Sequence, residues 1–302
     1  MVGADAAEDA VAATDRVGIG WRPEIAAGLY LHLEAFDVIE VIADNYLGAT
    51  RREIDAIKML ARQRPMNLHG VGLGLASAIA VDHRRLDRIA RLVGLIEPEA
   101  WSEHLAFVRA GGIEIGHLSG PPRTCATTAG AIANIECATR IVGMAPQMEN
   151  IATLLEPPAS TMDEATWITR IVEASHVPVL LDLHNLYANA CNRGEDPQAL
   201  LATMPLDRVT GIHLSGGKWI DAPSGGKRLL DDHLHGPPDE VFDLLTELAR
   251  SVPQSLTVII ERDGNFPTIG VLLGEIAQAR RALAKGRSQR SANFMPSIAL
   301  AA

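Results

Sequence analysis

The stretch PVLLDLHNLYANA (178–190) decides how the rest of the chain is read. Its opening run, Pro178 to Leu181, is apolar and ends abruptly in Asp182, His184 and Asn185. A buried strand normally runs out into turn residues. This one runs into a carboxylate and an imidazole two positions apart, which on a strand share one face. Such a face is either wet or holds something that takes oxygen and nitrogen ligands.

Seven further short apolar runs resemble this one: RVGIGW (16–21), FDVIEVIA (36–43), PMNLHGVGL (65–73), AWSEHLAF (100–107), PQMENI (146–151), RVTGIHLSG (208–216) and LTVIIERDG (256–264). Between them lie segments with helical spacing, among them RREIDAIKMLARQ (51–63), DHRRLDRIARLVGLI (82–96), DEATWITRIVEAS (163–175) and PDEVFDLLTELARS (238–251). Eight strand-then-helix units predict a single α/β domain, a (β/α)8 TIM barrel, over 16–285. The competing layout is a doubly wound open sheet. It needs a glycine-rich phosphate turn after an early strand, and HGVGLGLAS (69–77) lacks the G-x-G-x-x-G order. Residues 1–15, acidic and alanine-rich, read as a disordered lead. Residues 286–302, where the helical pattern is lost, read as a flexible tail.

The 302 residues, 47% hydrophobic, suffice for a sizeable core, and the formal charge of −10 disfavours a nucleic-acid or anionic-membrane partner. No apolar run approaches the roughly 20 residues of a membrane helix. The N-terminus lacks the basic-then-apolar order of a signal peptide. Cys125, Cys137 and Cys191 form neither a C-x-x-C pair nor an even framework, which points to a reducing, cytoplasmic setting.

In such barrels the site is built where several strands end. The third run ends at His69, the fourth carries Glu103 and His104, and the fifth ends with Glu149 and Asn150. The sixth ends with Asp182 and His184, the seventh carries His213, and the eighth ends with Glu261 and Asp263. The loop after the seventh adds Asp231 and His233. Each alone also reads as a hydrogen-bonded structural residue. Six consecutive strand ends of this kind are a different matter, because burying so many ionisable groups together is costly unless something pairs with them. No matching cluster of Lys or Arg accompanies them, so a metal is the expected partner. Imidazoles and carboxylates without thiolate suit Fe, Mn, Co or Zn. The ligand count exceeds what one catalytic ion uses, which favours two or more ions with Glu149 as bridge.

The ordered segments GIGWRPE, LHGVGLGLAS, SEHLAF, MEN, LLDLHNLY, GIHLSG, DDH and IIERDGNFP resemble the multinuclear non-heme iron-dependent oxidative enzymes, relatives of the iron oxidase subunit of methanobactin biosynthesis, from about residue 17 to 282. The resemblance implies a xylose-isomerase-like barrel holding two or three irons in mixed Fe(II)/Fe(III) states, with O2 as co-substrate. It also implies oxidation of cysteines in a ribosomally made precursor peptide, presented by a small separate partner protein. By motif, His69, His104 and Glu149 resemble the ligands of one iron, and Glu149, Asp182, His213 and Glu261 those of its neighbour. Asp231 and His233 resemble ligands near a third position. The chain departs from the family pattern at His184, where Asn is common, and at Gly217, where a second histidine is common. Asp44 stands where Glu is common. The His184 and Gly217 departures, one imidazole gained and one lost, suggest a third site that is rearranged around His184 or missing.

Arg22 and Asn45, just after the first two strands, and Asn150, Asn185 and Tyr187, after the fifth and sixth, are candidate substrate contacts. Three other functions fit parts of the pattern. A sugar isomerase or epimerase would need a general base, for which only Lys218 is placed, and SGGK reads as a loop. A phosphodiesterase is disfavoured by the charge and the 4% aromatic content. A non-catalytic metal-binding protein would hold ions without turnover.

Overall fold

A computed structural model describes residues 14–222 and 225–294. In chain order its strands are β1 (Arg16–Gly20), β2 (Ile39–Ile42), β3 (Met66–His69), β4 (Ala100–His104), β5 (Phe107–Ala110), β6 (Ile113–Ser119), β7 (Gln147–Glu149), β8 (Val179–Asp182), β9 (Val209–Leu214), β10 (Gly217–Asp221), β11 (Lys227–Asp231) and β12 (Thr257–Ile260). Its α-helices are α1 (Ala26–Leu31), α2 (Arg51–Ala61), α3 (His83–Ile96), α4 (Cys125–Val142), α5 (Glu164–Ser175), α6 (Leu183–Arg193), α7 (Pro197–Thr203), α8 (Asp239–Ser251) and α9 (Ile269–Phe294).

Eight strands close in the order β1-β12-β9-β8-β7-β4-β3-β2, every pair parallel. Each barrel strand falls inside one of the eight apolar runs. Buried on both faces, these strands read as near-continuous hydrophobics such as VLLD and TVII rather than as an alternation. The helices face them with apolar stripes. On α3, Leu86, Ile89, Val93 and Ile96 recur at three- and four-residue spacing and are all buried. Asp82 starts that helix by accepting from the Arg84 amide at 2.9 Å, and Glu97, left-handed at φ 54°, ends it. Thr50 and Glu53 form a reciprocal capping box on α2. Full burial of each Leu or Ile contributes about 1.5–3 kcal/mol, and that term holds the helix ring to the barrel.

Two antiparallel hairpins stand outside the eightfold pattern, β5–β6 after β4 and β10–β11 after β9. The second corrects the reading of SGGK as a loop, since Gly217 and Lys218 begin β10 and pair with Asp231 and Leu230 of β11. Helix α9 runs on to Phe294, into the segment expected to have lost helical structure. Arg287 explains the extension, reaching Asp15 at 2.7 and 2.8 Å and also the carbonyls of Ala249, Val252 and Gln254. Asp15 in turn accepts from the Leu256 amide at 2.9 Å, so the last residue of the expected N-terminal lead is held against the base of the barrel. The rest of that lead, through residue 13, and the tail from 295 to 302 lie outside the described residues. Among the described residues no helix is long and apolar enough to cross a membrane.

Candidate metal centre

The strand ends bring their polar residues together. His69 closes β3, His104 closes β4, Glu149 closes β7 and Asp182 closes β8, while His213 is the penultimate residue of β9 and Glu261 follows β12. All six are buried, with Asp182 and His213 at 0% exposure. Ligand-type atoms of His69, His104 and Glu149 lie within 4.8 Å of one another, and so do those of Glu149, Asp182, His213 and Glu261. Glu149 belongs to both groups. Two further groups meet the same limit: Glu40, His69 and His213, and His233, Glu261 and Asp263, the latter sharing Glu261 with the second.

Each of the three strand-borne imidazoles has one nitrogen held from outside the cluster and the other turned into it. His69 Nδ1 meets Ser102 Oγ at 2.8 Å, and its Nε2 lies 3.6 Å from Glu149 Oε2. His104 Nδ1 meets the Gly70 carbonyl at 3.2 Å, and its Nε2 lies 3.2 Å from the same Glu149 oxygen. His213 Nε2 meets Glu40 Oε1 at 2.8 Å, with Nδ1 at 3.1 Å from Glu149 Oε1 and 3.0 Å from Glu261 Oε2. An outer partner that fixes ring and tautomer is the usual arrangement around metal-ligating histidines.

His184 does not share a strand face with Asp182, as the sequence suggested. Strand β8 stops at Asp182, whose side chain caps α6 by accepting from the Asn185 amide at 2.7 Å, and His184 is the second residue of that helix. Its Nδ1 meets Asp231 Oδ1 at 2.8 Å, and the other Asp231 oxygen lies 3.1 Å from His233 Nε2. His233 Nε2 is also 3.9 Å from Asp182 Oδ2. His184, Asp231 and His233 therefore form a chain beside the second ligand group. Gly217 is bound to this chain sterically: a Cβ there would sit 2.1 Å from the Leu230 carbonyl oxygen and 2.7 Å from His184 Cε1. The two departures at His184 and Gly217 are thus neighbours in space.

The candidate substrate residues divide. Arg22 is buried and committed, with Nη2 at 3.2 Å from Glu261 Oε1 and 2.5 Å from Asp263 Oδ1. Asn150 spends both ends of its amide on the Asp182 backbone, at 3.0 and 2.9 Å. Asn185 donates to the Asn150 carbonyl at 3.0 Å. Both asparagines brace the ends of β7 and β8. Asn45 is exposed, in the short 3-10 turn Ala43–Tyr46 after β2. Tyr187 is half-buried on α6, beside Cys191. The residue that sequence reasoning missed is Glu40. It sits in the middle of β2, 3% exposed, and its signal was a carboxylate inside the apolar run VIEVI.

The electrostatics are those of a site short of positive charge. Burial pushes Glu149 up to about 7 against the pull of His213, and Asp182 up to about 7 against that of His233. Burial also pushes Glu103 up to about 8, with Asp44 adding to the shift, and takes His104 down to about 4. Burial opposes the charged form of His213 too, but Glu40, Glu149 and Glu261 outweigh it and raise its pKa well above the usual imidazole value. Among the described residues only Arg22 brings a permanent positive charge within ion-pair range of these carboxylates. Glu149 Oε2, Glu261 Oε2, His233 Nε2 and His184 Nε2 are buried without a hydrogen-bond partner, although the first three lie within ion-pair distance of neighbours. Such groups are costly unless something satisfies them. The mixed imidazole–carboxylate set fits a borderline divalent or trivalent ion, and the shared Glu149 fits a bridge between two.

A closed parallel barrel with His and carboxylate clusters at its strand ends defines the class: a xylose-isomerase-like TIM barrel with a candidate metal centre. In fold it is similar to a xylose isomerase-like TIM barrel protein from Mycobacterium smegmatis in complex with magnesium, with a TM-score of 0.57 at 14% identity, covering 90% of this chain and 98% of that one. Residues 16–284 match the RiPP precursor modification enzyme family MbnB/TglH/ChrH, and the chain belongs to that family. It is also 35% identical over 276 residues to a UPF0276 protein of Streptomyces avermitilis, covering 89% of this chain but only 55% of the longer relative. A UPF0276 protein of Bordetella parapertussis is 31% identical over 271 residues, covering 90% and 93% of the two chains.

Proposed function

We propose that the chain is a multinuclear non-heme iron oxidase that uses O2 to modify cysteine residues of a ribosomally synthesised precursor peptide. The observation that carries this reading is the pair of buried ligand groups joined at Glu149, in a chain of a precursor-modifying family. His69, His104 and Glu149 hold one iron, and Glu149, Asp182, His213 and Glu261 hold its neighbour. Asp231 and His233, with His184 beside them, surround a third position. Iron held there would supply one-electron chemistry with O2 beside the peptide thiol.

The protein's own share is geometric. Ser102, Gly70 and Glu40 turn each imidazole inward. Asn150 and Asn185 fix the backbone that carries Asp182 and Glu149. Arg22 holds Glu261 and Asp263 in place, so Asn45 and Tyr187 remain the candidate peptide contacts at the mouth. A separate small partner protein presents the peptide. The sugar-isomerase alternative gains nothing from Lys218, which lies 3.7 Å from Asp232 on the β10–β11 hairpin and is half-exposed.

The test is incubation of iron-loaded protein with cysteine-bearing peptides encoded beside its gene, following O2 uptake and peptide mass. A mass change that requires O2 and the peptide cysteine supports the reading. Iron-loaded protein that consumes no O2 with any of them, or changes the peptide equally well without O2, refutes it.

A further inference from the structure

The three inward imidazoles are not backed alike. Behind His69 is a hydroxyl, Ser102 Oγ, and behind His104 a backbone carbonyl, that of Gly70, at hydrogen-bond distance, with the Glu103 carboxyl farther off at 3.9 Å from Nδ1. Behind His213 is a carboxylate, Glu40, at 2.8 Å and 3% exposed. Carboxylates face both nitrogens of His213, and a metal held by Nδ1 with Glu149 and Glu261 would leave the ring hydrogen on Nε2, donated to Glu40. A carboxylate behind an imidazole also makes it a stronger donor to a metal. The ligand groups differ in charge as well. His69 and His104 share one carboxylate, Glu149, with Glu40 also near His69 and His213, whereas His213 stands with Glu149, Asp182 and Glu261. Arg22 offsets one of these charges through its contacts with Glu261 and Asp263, and Coulombic attraction from Glu40 reaches it too. The excess negative charge still falls on the side of His213. Although Glu40 lies in ligand range of His69 and His213, it meets His213 on the Nε2 side, away from Glu149 and Glu261 on the Nδ1 side, which suits an orienting partner of the Glu149–Asp182–His213–Glu261 position.

We propose that Glu40 is a positioning residue that makes the two metal positions inequivalent. By fixing His213 with Nδ1 inward and loading the ring with negative charge, it makes the Glu149–Asp182–His213–Glu261 position the one that keeps the higher-valent ion. The His69–His104–Glu149 position, whose imidazoles are hydrogen-bonded from behind by a hydroxyl and a carbonyl, keeps the lower-valent one. This rests on the reading of the cluster as a metal centre, but not on O2 chemistry or on any peptide.

The test compares wild type with Glu40→Gln, which keeps an acceptor and removes the charge, and with Ser102→Ala, which removes the partner of His69. Metal-free proteins are titrated anaerobically with Fe(II), the positions are distinguished by Mössbauer spectroscopy, and the mixed-valent couple is measured by EPR-monitored potentiometry. The expected result for Glu40→Gln is about 10- to 100-fold weaker binding at one position only, with the couple moved to higher potential. Ser102→Ala weakens the other position and leaves the potential near wild type. Glu40→Asp, which retains the charge, keeps the potential closer to wild type than Glu40→Gln does, and this comparison holds even if one variant binds poorly. Wild-type affinity and potential in Glu40→Gln, or both variants weakening the same position, overturn the proposal alone. Wild-type protein that takes up no iron overturns both the proposal and the metal-centre reading.

Discussion

Glu149→Gln is the substitution whose consequences the site defines most sharply. Glu149 is the one carboxylate common to both ligand groups, 1% exposed, with burial raising its pKa from 4.5 to about 7. A carboxyl whose folded pKa lies above its unfolded value stabilises the fold fully below about pH 4.5, and that contribution is lost as pH rises through about 7. At pH 7 the metal-free protein therefore carries a penalty on the order of 3 kcal/mol at this position, taking about 1.4 kcal/mol per pKa unit. A neutral glutamine relieves much of it, less about 1 kcal/mol for the hydrogen bond with His213. Metal binding should show the opposite. At an ion concentration of 100 times Kd, wild type gains about 2.7 kcal/mol, which at roughly 2–4 °C per kcal/mol is a rise of about 5–10 °C in Tm. Thermal unfolding of both proteins, metal-free and in excess Fe(II) without O2, should show the order of the two reversed by metal. Metal-free Glu149→Gln melts at or above metal-free wild type, and only wild type rises with metal. A variant that keeps the wild-type metal response would refute the bridging role. A metal-free variant several kcal/mol less stable than wild type would refute the electrostatic reasoning.

Other perturbations separate the parts of the site. His104→Ala should lose the ion held with His69 and keep the other, while Asp182→Ala should do the reverse, as read by iron content per chain and Mössbauer spectra. Metal affinity should rise steeply from about pH 6 to pH 8, because Glu149 and Asp182, each pushed up to about 7 by burial, and His213, also raised, must give up protons as ions bind. Calorimetry in buffers of different ionisation enthalpy reads the released protons, and pH-independent affinity would contradict the assignment. Gly217→Ala should destabilise the chain by about 1–3 kcal/mol, since its Cβ would lie 2.1 Å from the Leu230 carbonyl oxygen; unchanged Tm would show that the hairpin yields freely.

The barrel was legible because parallel strands buried on both faces must be apolar and short, and the helices between them show their stripes. VLLD and TVII carry that signal in four residues each. The cluster of strand-end side chains was legible because buried strands have no structural reason to end in His, Asp or Glu on six successive occasions. What escaped depends on backbone geometry or on side chains meeting across the barrel. The first turn of α6 begins at Leu183, so His184 leaves the strand face, a one-residue boundary that periodicity cannot place. The β10–β11 hairpin mixes Trp, Ile and Leu with charged residues, its first strand largely exposed and its second only partly buried, without the alternation that marks a half-buried strand. Glu40 was hidden because its role exists only when β2 and β9 reach the same layer and His213 Nε2 meets its carboxylate. Arg287 and Asp15, 272 residues apart, join helix α9 to the segment before β1 at the base of the barrel by a pairing that no local pattern records.

The central claim is that the strand ends hold more than one metal ion on ligands shared through Glu149. Anaerobic reconstitution of metal-free protein with 57Fe(II), followed by metal analysis and Mössbauer spectroscopy after partial oxidation, measures this directly. Two or more irons per chain with a magnetically coupled pair is the predicted result. A single uncoupled iron, or a site that takes zinc or manganese and refuses iron, would contradict it.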